Sequence, residues 1–269
     1  MSYKLLVLDI DGTVTNSEKN VLEKTKEAVI SLQERGVQVA IASGRSPKGI
    51  FSVAKELELD RFGNYVLSFN GAKILNFKTK ECVFEKFLPS YIPGRLWNDA
   101  VKYKLGILTY SDEILLAGTV PDSYMTLESR ICNMPVQYRA DFSISARIPV
   151  NGCLITGNPE DIEFAEPFFV YKYFHETEIF RSESCFLEVI PKNVDKAYSL
   201  KYLLRILGLK REEVVCCGDS FNDITMIQYA GLGIAMANGQ EKLKQVADYV
   251  TEHDNDHDGI AEVVEKFFD

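Results

Sequence analysis

The apolar run Leu5-Leu6-Val7-Leu8 passes without a break into Asp9-Ile10-Asp11-Gly12-Thr13. A short, uniformly apolar run closed by a glycine turn reads as a strand buried on both faces, as strands of parallel sheets are. The segments that follow repeat the theme. The pattern predicts a strand over 3–8 and an amphipathic helix over 21–35, with Leu22, Ala28, Val29 and Leu32 near helical spacing and Gly36 as its stop. A second buried strand over 37–42, a helix over 47–57 and a third strand over 65–68 come next, closed by the turn Asn70-Gly71. This βαβα order calls for a parallel sheet with helices on both faces. Ligands of such sheets bind at the carboxyl ends of the strands, which is where Asp9 and Asp11 stand.

The middle of the chain has a different character. Residues 72–77 and 83–88 read as a hairpin around the polar turn Lys78-Thr79-Lys80-Glu81. Helices are expected over 91–105 and 124–132 and after Pro159, and short strands over 106–110, 114–118, 142–146 and 152–156. From residue 186 the first pattern returns: strands over 186–190, 214–217 and 233–235, and helices over 196–207, 223–229, 240–246 and 260–268. The expected architecture is α/β: a Rossmann-like parallel-sheet core formed by 1–82 and 187–269, with a smaller α+β cap domain inserted over 83–186.

With 269 residues, 46% of them apolar, the chain can bury a core of this size. No apolar run approaches the roughly 20 residues of a membrane span, and the first residues lead straight into a strand instead of a signal peptide, so a cytoplasmic protein is expected. A formal net charge of −9 argues against a general nucleic-acid binder, whose surface must be basic. It leaves room for a small phosphorylated substrate, because a metal and a few local cations can reverse the field inside one pocket. The six cysteines form no Cys-x-x-Cys pair, and Cys216 and Cys217 sit in an apolar run, as small buried hydrophobes of a reduced protein would.

Four segments, each after an expected core strand or at a helix start, carry polar groups suited to one site. In Asp9-Ile10-Asp11-Gly12-Thr13 an ordinary Asx-turn accounts for one aspartate and the glycine, not for the second aspartate. Ala42-Ser43-Gly44-Arg45 offers a hydroxyl and backbone N–H groups to an oxyanion, though alone it is an unremarked turn. Asn193-Val194-Asp195-Lys196-Ala197 places a lysine at a helix start, against the dipole, which a neighbouring anion would justify. In Gly218-Asp219-Ser220-Phe221-Asn222-Asp223 two carboxylates and an amide gather between a strand and a helix. That suits a hard cation better than it suits simple capping.

In this order and spacing the four segments resemble the haloacid dehalogenase-like superfamily, and in particular its Cof-like sugar-phosphatase branch, with a large α/β insertion between the second and third motifs. The likeness spans nearly the whole chain, including the tail patterns Ala247-Asp248-Tyr249-Val250-Thr251 and Asp258-Gly259-Ile260-Ala261. Ala197 departs from the glycine usual after the motif lysine. The resemblance implies a Mg²⁺-dependent phosphomonoesterase acting on small phosphorylated metabolites, sugar phosphates foremost. Asp9 would be the nucleophile that forms an aspartyl-phosphate, and Asp11 the general acid–base, a residue that the superfamily's dehalogenases lack. Asp9, Asp219 and the backbone carbonyl of Asp11 would hold the metal, and Asp223 would either bind it directly or support the residues that do. Ile10, Ser43, Gly44, Lys196 and Asn222 would face the phosphoryl group. The insertion would close over the leaving group, with Arg130, Arg139, Arg147, Tyr110 and His175 as candidate selectors and Trp97 as a packing anchor. His253 and His257 sit in an acidic loop read as solvated. A phosphomutase on the same core and a catalytically silent phospho-ligand binding protein are the alternatives, and monomer and homodimer stay equally open.

Overall fold

The computed structural model describes residues 3–111, 113–145 and 148–268, so Arg147 and the end of the 142–146 segment lie outside the described residues. The chain divides into two compact units. One comprises Met1–Ser43, Ile50–Phe84 and Asp195–Asp269, the other Gly44–Gly49 and Glu85–Val194.

Along the chain the elements are β1 (Leu5–Leu8), α1 (Glu23–Glu34), β2 (Gln38–Ala42), α2 (Pro47–Glu56), α3 (Leu59–Phe62), β3 (Tyr65–Ser68), β4 (Lys73–Asn76) and β5 (Cys82–Glu85). Then come α4 (Ile92–Lys102), β6 (Gly106–Tyr110), β7 (Leu115–Ala117), α5 (Ser123–Cys132), β8 (Val136–Tyr138), α6 (Phe142–Ser145), β9 (Cys153–Thr156), α7 (Pro159–Tyr173), β10 (Thr177–Glu183) and β11 (Phe186–Pro191). The chain finishes with α8 (Lys196–Leu207), β12 (Val214–Gly218), α9 (Ile224–Tyr229), β13 (Leu232–Ala235), α10 (Glu241–Lys244), β14 (Tyr249–Val250) and α11 (Gly259–Phe268).

The first unit is built on an eight-stranded sheet in the order β14-β13-β12-β1-β2-β3-β4-β5. Strands β14 through β3 run parallel, and β4 turns back antiparallel on β3. The period of two along a strand explains why β1 is apolar at every position. Leu6 and Leu8 point into one core, with Val29 and Leu32 of α1, Ile50 and Val53 of α2 and Val263 of α11. Leu5 and Val7 point into the other, with Leu200 and Leu203 of α8 and Met226 of α9. Both faces being covered, the α/β reading of the sequence holds.

The second unit carries a six-stranded sheet in the order β10-β11-β9-β6-β7-β8, antiparallel except where β7 meets β8. Helices α4 and α7 bury Leu96, Ala100, Ile162 and Phe169 against one face, and α5 buries Met125 and Cys132 in a separate core cluster with Leu108, Leu115 and Leu154. The strand at 186–190 belongs to this sheet, because β11 pairs antiparallel with both β9 and β10, so the chain rejoins the first unit at Asp195, not at 187. Residues 142–145 form a helical turn and not a strand: Phe142 is fully buried while Ile144 is 62% exposed, so no strand face exists to cover. Trp97 is half-buried, packs with the second unit's core and donates from Nε1 to Gly118 O at 2.7 Å.

Candidate active site

The sheet order β12-β1-β2-β3 brings four carboxyl-terminal strand ends side by side, and every one opens into a polar segment. Leu8 of β1 is level with Cys217 of β12 and Ile41 of β2, so Asp9 emerges beside Gly218 and Ala42. Asp9 N donates to Cys217 O at 3.1 Å. Ser43, past the end of β2, is buried and donates from N to Leu67 O at 2.9 Å. Helix α8 starts at Lys196, with Asp195 as its N-cap accepting from Tyr198 N at 2.6 Å.

At the centre three carboxylates converge. Asp9, Asp219 and Asp223 each offer an oxygen within 4.8 Å of the others. The Lys196 side chain is fully buried among them, with Nζ 2.6 Å from Asp9 Oδ1 and 2.5 Å from Asp223 Oδ1. The other oxygen of Asp223 accepts from the N–H groups of Asp219 and Ser220 at 3.1 and 3.0 Å, closing the turn that starts the next helix. Asp223 therefore caps and pairs at once. Thr13 Oγ1 donates to Asp219 Oδ1 at 3.2 Å.

The charges do not balance. Burial and the Asp223 and Asp219 charges raise the Asp9 carboxyl well above the usual range, against the pull of Lys196. Burial, with Asp223, pushes Asp219 up to about 7. Burial opposes the Lys196 ammonium, but Asp223 and Asp9 outweigh it and hold its pKa above that of an ordinary lysine. One cation faces three carboxylates, all oxygen donors: a set that suits a hard divalent cation.

Glycine is required at two points around this cluster. Gly12 has φ +80°, and a Cβ there would lie 2.5 Å from Asp219 Oδ2. Gly218, in β12, lets Asp223 fold back over the strand end: a Cβ would lie 2.6 Å from Asp223 Cβ.

The remaining sequence-expected residues are placed as follows. Asp11 lies outside the carboxylate cluster; it is 38% exposed and pairs with Lys19 Nζ at 2.8 Å. The Ile10 side chain is wholly buried and its carbonyl accepts from Val14 and Thr15 N, so only its backbone N–H has anything to offer a phosphoryl group. Asn222 donates from Nδ2 to Asn70 Oδ1 at 2.9 Å. Gly44 opens the stretch that groups with the second unit. Tyr110, also there, donates to Glu128 Oε1 at 2.9 Å, while Arg130, Arg139 and His175 are exposed. His253 and His257 bond the carboxylates Glu262 and Asp254. Cys216 and Cys217 are buried free thiols, as expected.

Sequence reasoning missed Lys19, Asn70 and Asn238, the last donating from Nδ2 to Gly12 O at 2.8 Å. Asn70 has a visible signal, since Asn70-Gly71 follows the third parallel strand, but its sequence alone marks no more than a turn.

The chain matches the haloacid dehalogenase-like hydrolases over residues 6–264. It belongs to that family. A crystal structure of a haloacid dehalogenase-like hydrolase from Bacteroides thetaiotaomicron superposes with a TM-score of 0.93 at 40% identity, covering 99% of this chain and 100% of that one. A HAD subclass IIB sugar phosphatase superposes with a TM-score of 0.83 at 25% identity, covering 98% of each. The 5-amino-6-(5-phospho-D-ribitylamino)uracil phosphatase of Bacillus subtilis is 29% identical over 268 residues, 98% of this chain and 95% of its own length. The Asp9–Asp219–Asp223–Lys196 cluster thus lies within the part of the chain shared with these hydrolases. Among the described residues, no helix of this family member is long and apolar enough to cross a membrane.

Proposed function

We propose that this hydrolase is a Mg²⁺-dependent phosphomonoesterase that acts on small phosphorylated metabolites, sugar phosphates first, through an aspartyl-phosphate on Asp9. The carrying observation is the buried Lys196 held between Asp9 and Asp223. It keeps a cation against the nucleophile, where a phosphoryl dianion must approach. Sugar phosphates come first because the sugar phosphatase cited above shares the fold over almost the full chain.

A carboxylate oxygen of Asp9 attacks phosphorus, and the bond from phosphorus to the ester oxygen breaks. Asp11 gives its proton to the leaving alkoxide. Water then loses a proton to Asp11, attacks the same phosphorus and releases inorganic phosphate, restoring the Asp9 carboxylate. Asp11 suits this exchange because its carboxyl is solvent-accessible while that of Asp9 is buried. Asp9, Asp219 and Asp223, with the Asp11 carbonyl, would hold Mg²⁺, which when bound neutralises charge on the carboxylates and the transferring group. Lys196, the Asn222 amide, Ser43, and the backbone N–H groups of Ile10 and Gly44 orient the phosphoryl oxygens.

The test is phosphate release from a panel of sugar phosphates, nucleotides and an aryl phosphate with Mg²⁺. Activity that disappears with EDTA and in Asp9→Asn is the expected outcome. Full activity in Asp9→Asn would overturn the assignment of the nucleophile.

A further inference from the structure

The turn after β3, Phe69–Gly71, belongs to none of the four segments that carry the site, yet three of them bear on it. Asn70 N donates to Ser43 O at 3.0 Å. Asn70 Oδ1 accepts from Asn222 Nδ2 at 2.9 Å. Gly71, at φ +101°, lies so close to the start of α8 that a Cβ would stand 2.5 Å from Asp195 O and 2.6 Å from Ser199 Oγ. The turn therefore touches the Ser43 loop, the Asn222 loop and the helix that begins with Lys196.

Its backbone is costly. Phe69 and Asn70 have φ of 52° and 51°, a left-handed conformation that bulky residues seldom adopt and that asparagine tolerates best among the non-glycine types. Strain kept beside a cluster of site residues invites a functional reading. Asn70 is moreover only 3% exposed, so its amide is committed to the interior.

An asparagine amide carries two N–H donors in one plane. With one of them on Asn70 Oδ1, the plane of the Asn222 amide is fixed. The second has no protein partner among the described residues and is left for an anion.

We infer that Asn70 is a positioning residue that holds the Asn222 amide, and with it the Ser43 loop, in the arrangement that grips a phosphoryl group. This rests on the proposed function and extends it to a residue outside the motifs. Asn70 need not touch substrate: it acts through Asn222. An Asn222 side chain released from it must find its orientation anew at each binding event, at the cost of about one hydrogen bond's worth of affinity.

The experiment is a double-mutant cycle of Asn70→Gly and Asn222→Ala, read as the dissociation constant of inorganic phosphate with Mg²⁺ present and as kcat and KM for whichever ester the wild type hydrolyses. Glycine keeps the left-handed backbone and removes the amide, and thermal unfolding of each variant checks that the fold is kept. Asn70→Gly is expected to weaken phosphate binding about tenfold, roughly the effect of one lost hydrogen bond. In the Asn222→Ala background the same change should cost less than about twofold, since the partner through which it acts is gone. Wild-type phosphate affinity in Asn70→Gly, or additive losses in the double variant, would overturn the inference. A wild type that binds phosphate but hydrolyses no ester would overturn the proposed function instead, and the binding cycle would still decide the role of Asn70.

Discussion

The fully buried ammonium of Lys196 lies 2.6 Å from Asp9 Oδ1, although the two residues stand 187 positions apart. The strand order places the carboxyl ends of β1 and β12 side by side, and α8 delivers the lysine from above them. Removing one partner of a buried pair leaves the other uncompensated in a medium that solvates it poorly, a loss of about 3–5 kcal/mol. Lys196→Met is therefore expected to lower stability by that order, because Asp9 and Asp223 lose their shared cation. Turnover should fall at least a hundredfold as well. Denaturant unfolding and phosphate release on the same preparation check both.

Gly12 lies directly against the Asp219 carboxylate, with no room for a side chain between them. Its φ of +80° already disfavours any side chain, and the Cβ of an alanine would collide with Asp219 Oδ2 at 2.5 Å. Gly12→Ala should push the Asp219 carboxylate out of the cluster and destabilise the protein by about 1–3 kcal/mol. The distinguishing readout is the Mg²⁺ concentration for half-maximal activity, expected to rise at least tenfold. Unchanged Mg²⁺ dependence would mean that Asp219 does not hold the metal.

In the metal-free protein the carboxylate cluster should respond to pH with the sign set by Asp219. Its folded-state pKa of about 7, raised chiefly by burial and Asp223, lies above the 3.8 of an unperturbed aspartate. Between these values the folded state binds more protons at Asp219 than the unfolded one, so the contribution of Asp219 to stability falls as pH rises from about 4 to about 7, and Asp9, raised likewise, acts with the same sign. Mg²⁺ held by Asp219 would compete with that proton. Its affinity should rise about tenfold between pH 6 and pH 8, as the carboxyl goes from mostly protonated to mostly ionised. Thermal unfolding with EDTA and calorimetric Mg²⁺ titration at the two pH values test this.

The second unit has a titratable centre of its own with the opposite sign. Asp99 is buried on α4 and accepts from Lys172 at 2.5 Å, Tyr173 Oη at 2.7 Å and Lys102 at 3.3 Å. Burial opposes its ionisation, but the hydrogen bonds from Lys172, Tyr173 and Lys102 outweigh it and hold the carboxyl below the ordinary range. That stabilisation is complete above the unfolded pKa and is lost as pH falls through the folded one. Asp99→Asn, which keeps the shape and loses the charge, should cost about 1–3 kcal/mol at pH 7 and progressively less at pH 3. Trp97, the single tryptophan, is on the same helix and reports the unfolding of this unit by fluorescence.

Which parts of this architecture the sequence discloses follows from what each strand must bury. β1, β2 and β12 are covered on both faces, so apart from the half-buried Gln38 that opens β2 they carry no polar side chain and stand out as runs closed by glycine or serine turns. The polar residues just past those runs form the candidate site, which is why the Asp9, Ser43 and Asp219 segments stand out in the sequence. β10 is half exposed, and its sequence Thr-Glu-Ile-Phe-Arg-Ser-Glu has no unbroken apolar run to mark it. With that strand unseen, nothing in the sequence ties β11 to the second sheet. Asn70 was hidden for a different reason: its side chain meets Asn222, 152 positions away, and an Asn-Gly pair taken alone looks like any other turn.

Asp9 and Asp11 are two residues apart, yet their surroundings differ enough to separate their roles by experiment. Asp9 is buried against Lys196, whereas Asp11 is partly exposed and paired with Lys19. A nucleophile is needed whatever ester is offered, so Asp9→Asn should abolish turnover of all of them alike. A general acid matters in proportion to the basicity of the leaving oxygen. Asp11→Asn is therefore expected to slow hydrolysis of a sugar phosphate by about a hundredfold or more, the range typical of general acid–base catalysis. An aryl phosphate bearing a nitro group leaves as a weakly basic phenolate and should lose far less in the first step. In single-turnover experiments with that substrate, phosphoryl-enzyme should accumulate in Asp11→Asn, because activation of water for the second step is still impaired. Equal losses on both substrates would remove Asp11 from the proton-transfer role and leave it a spectator held by Lys19.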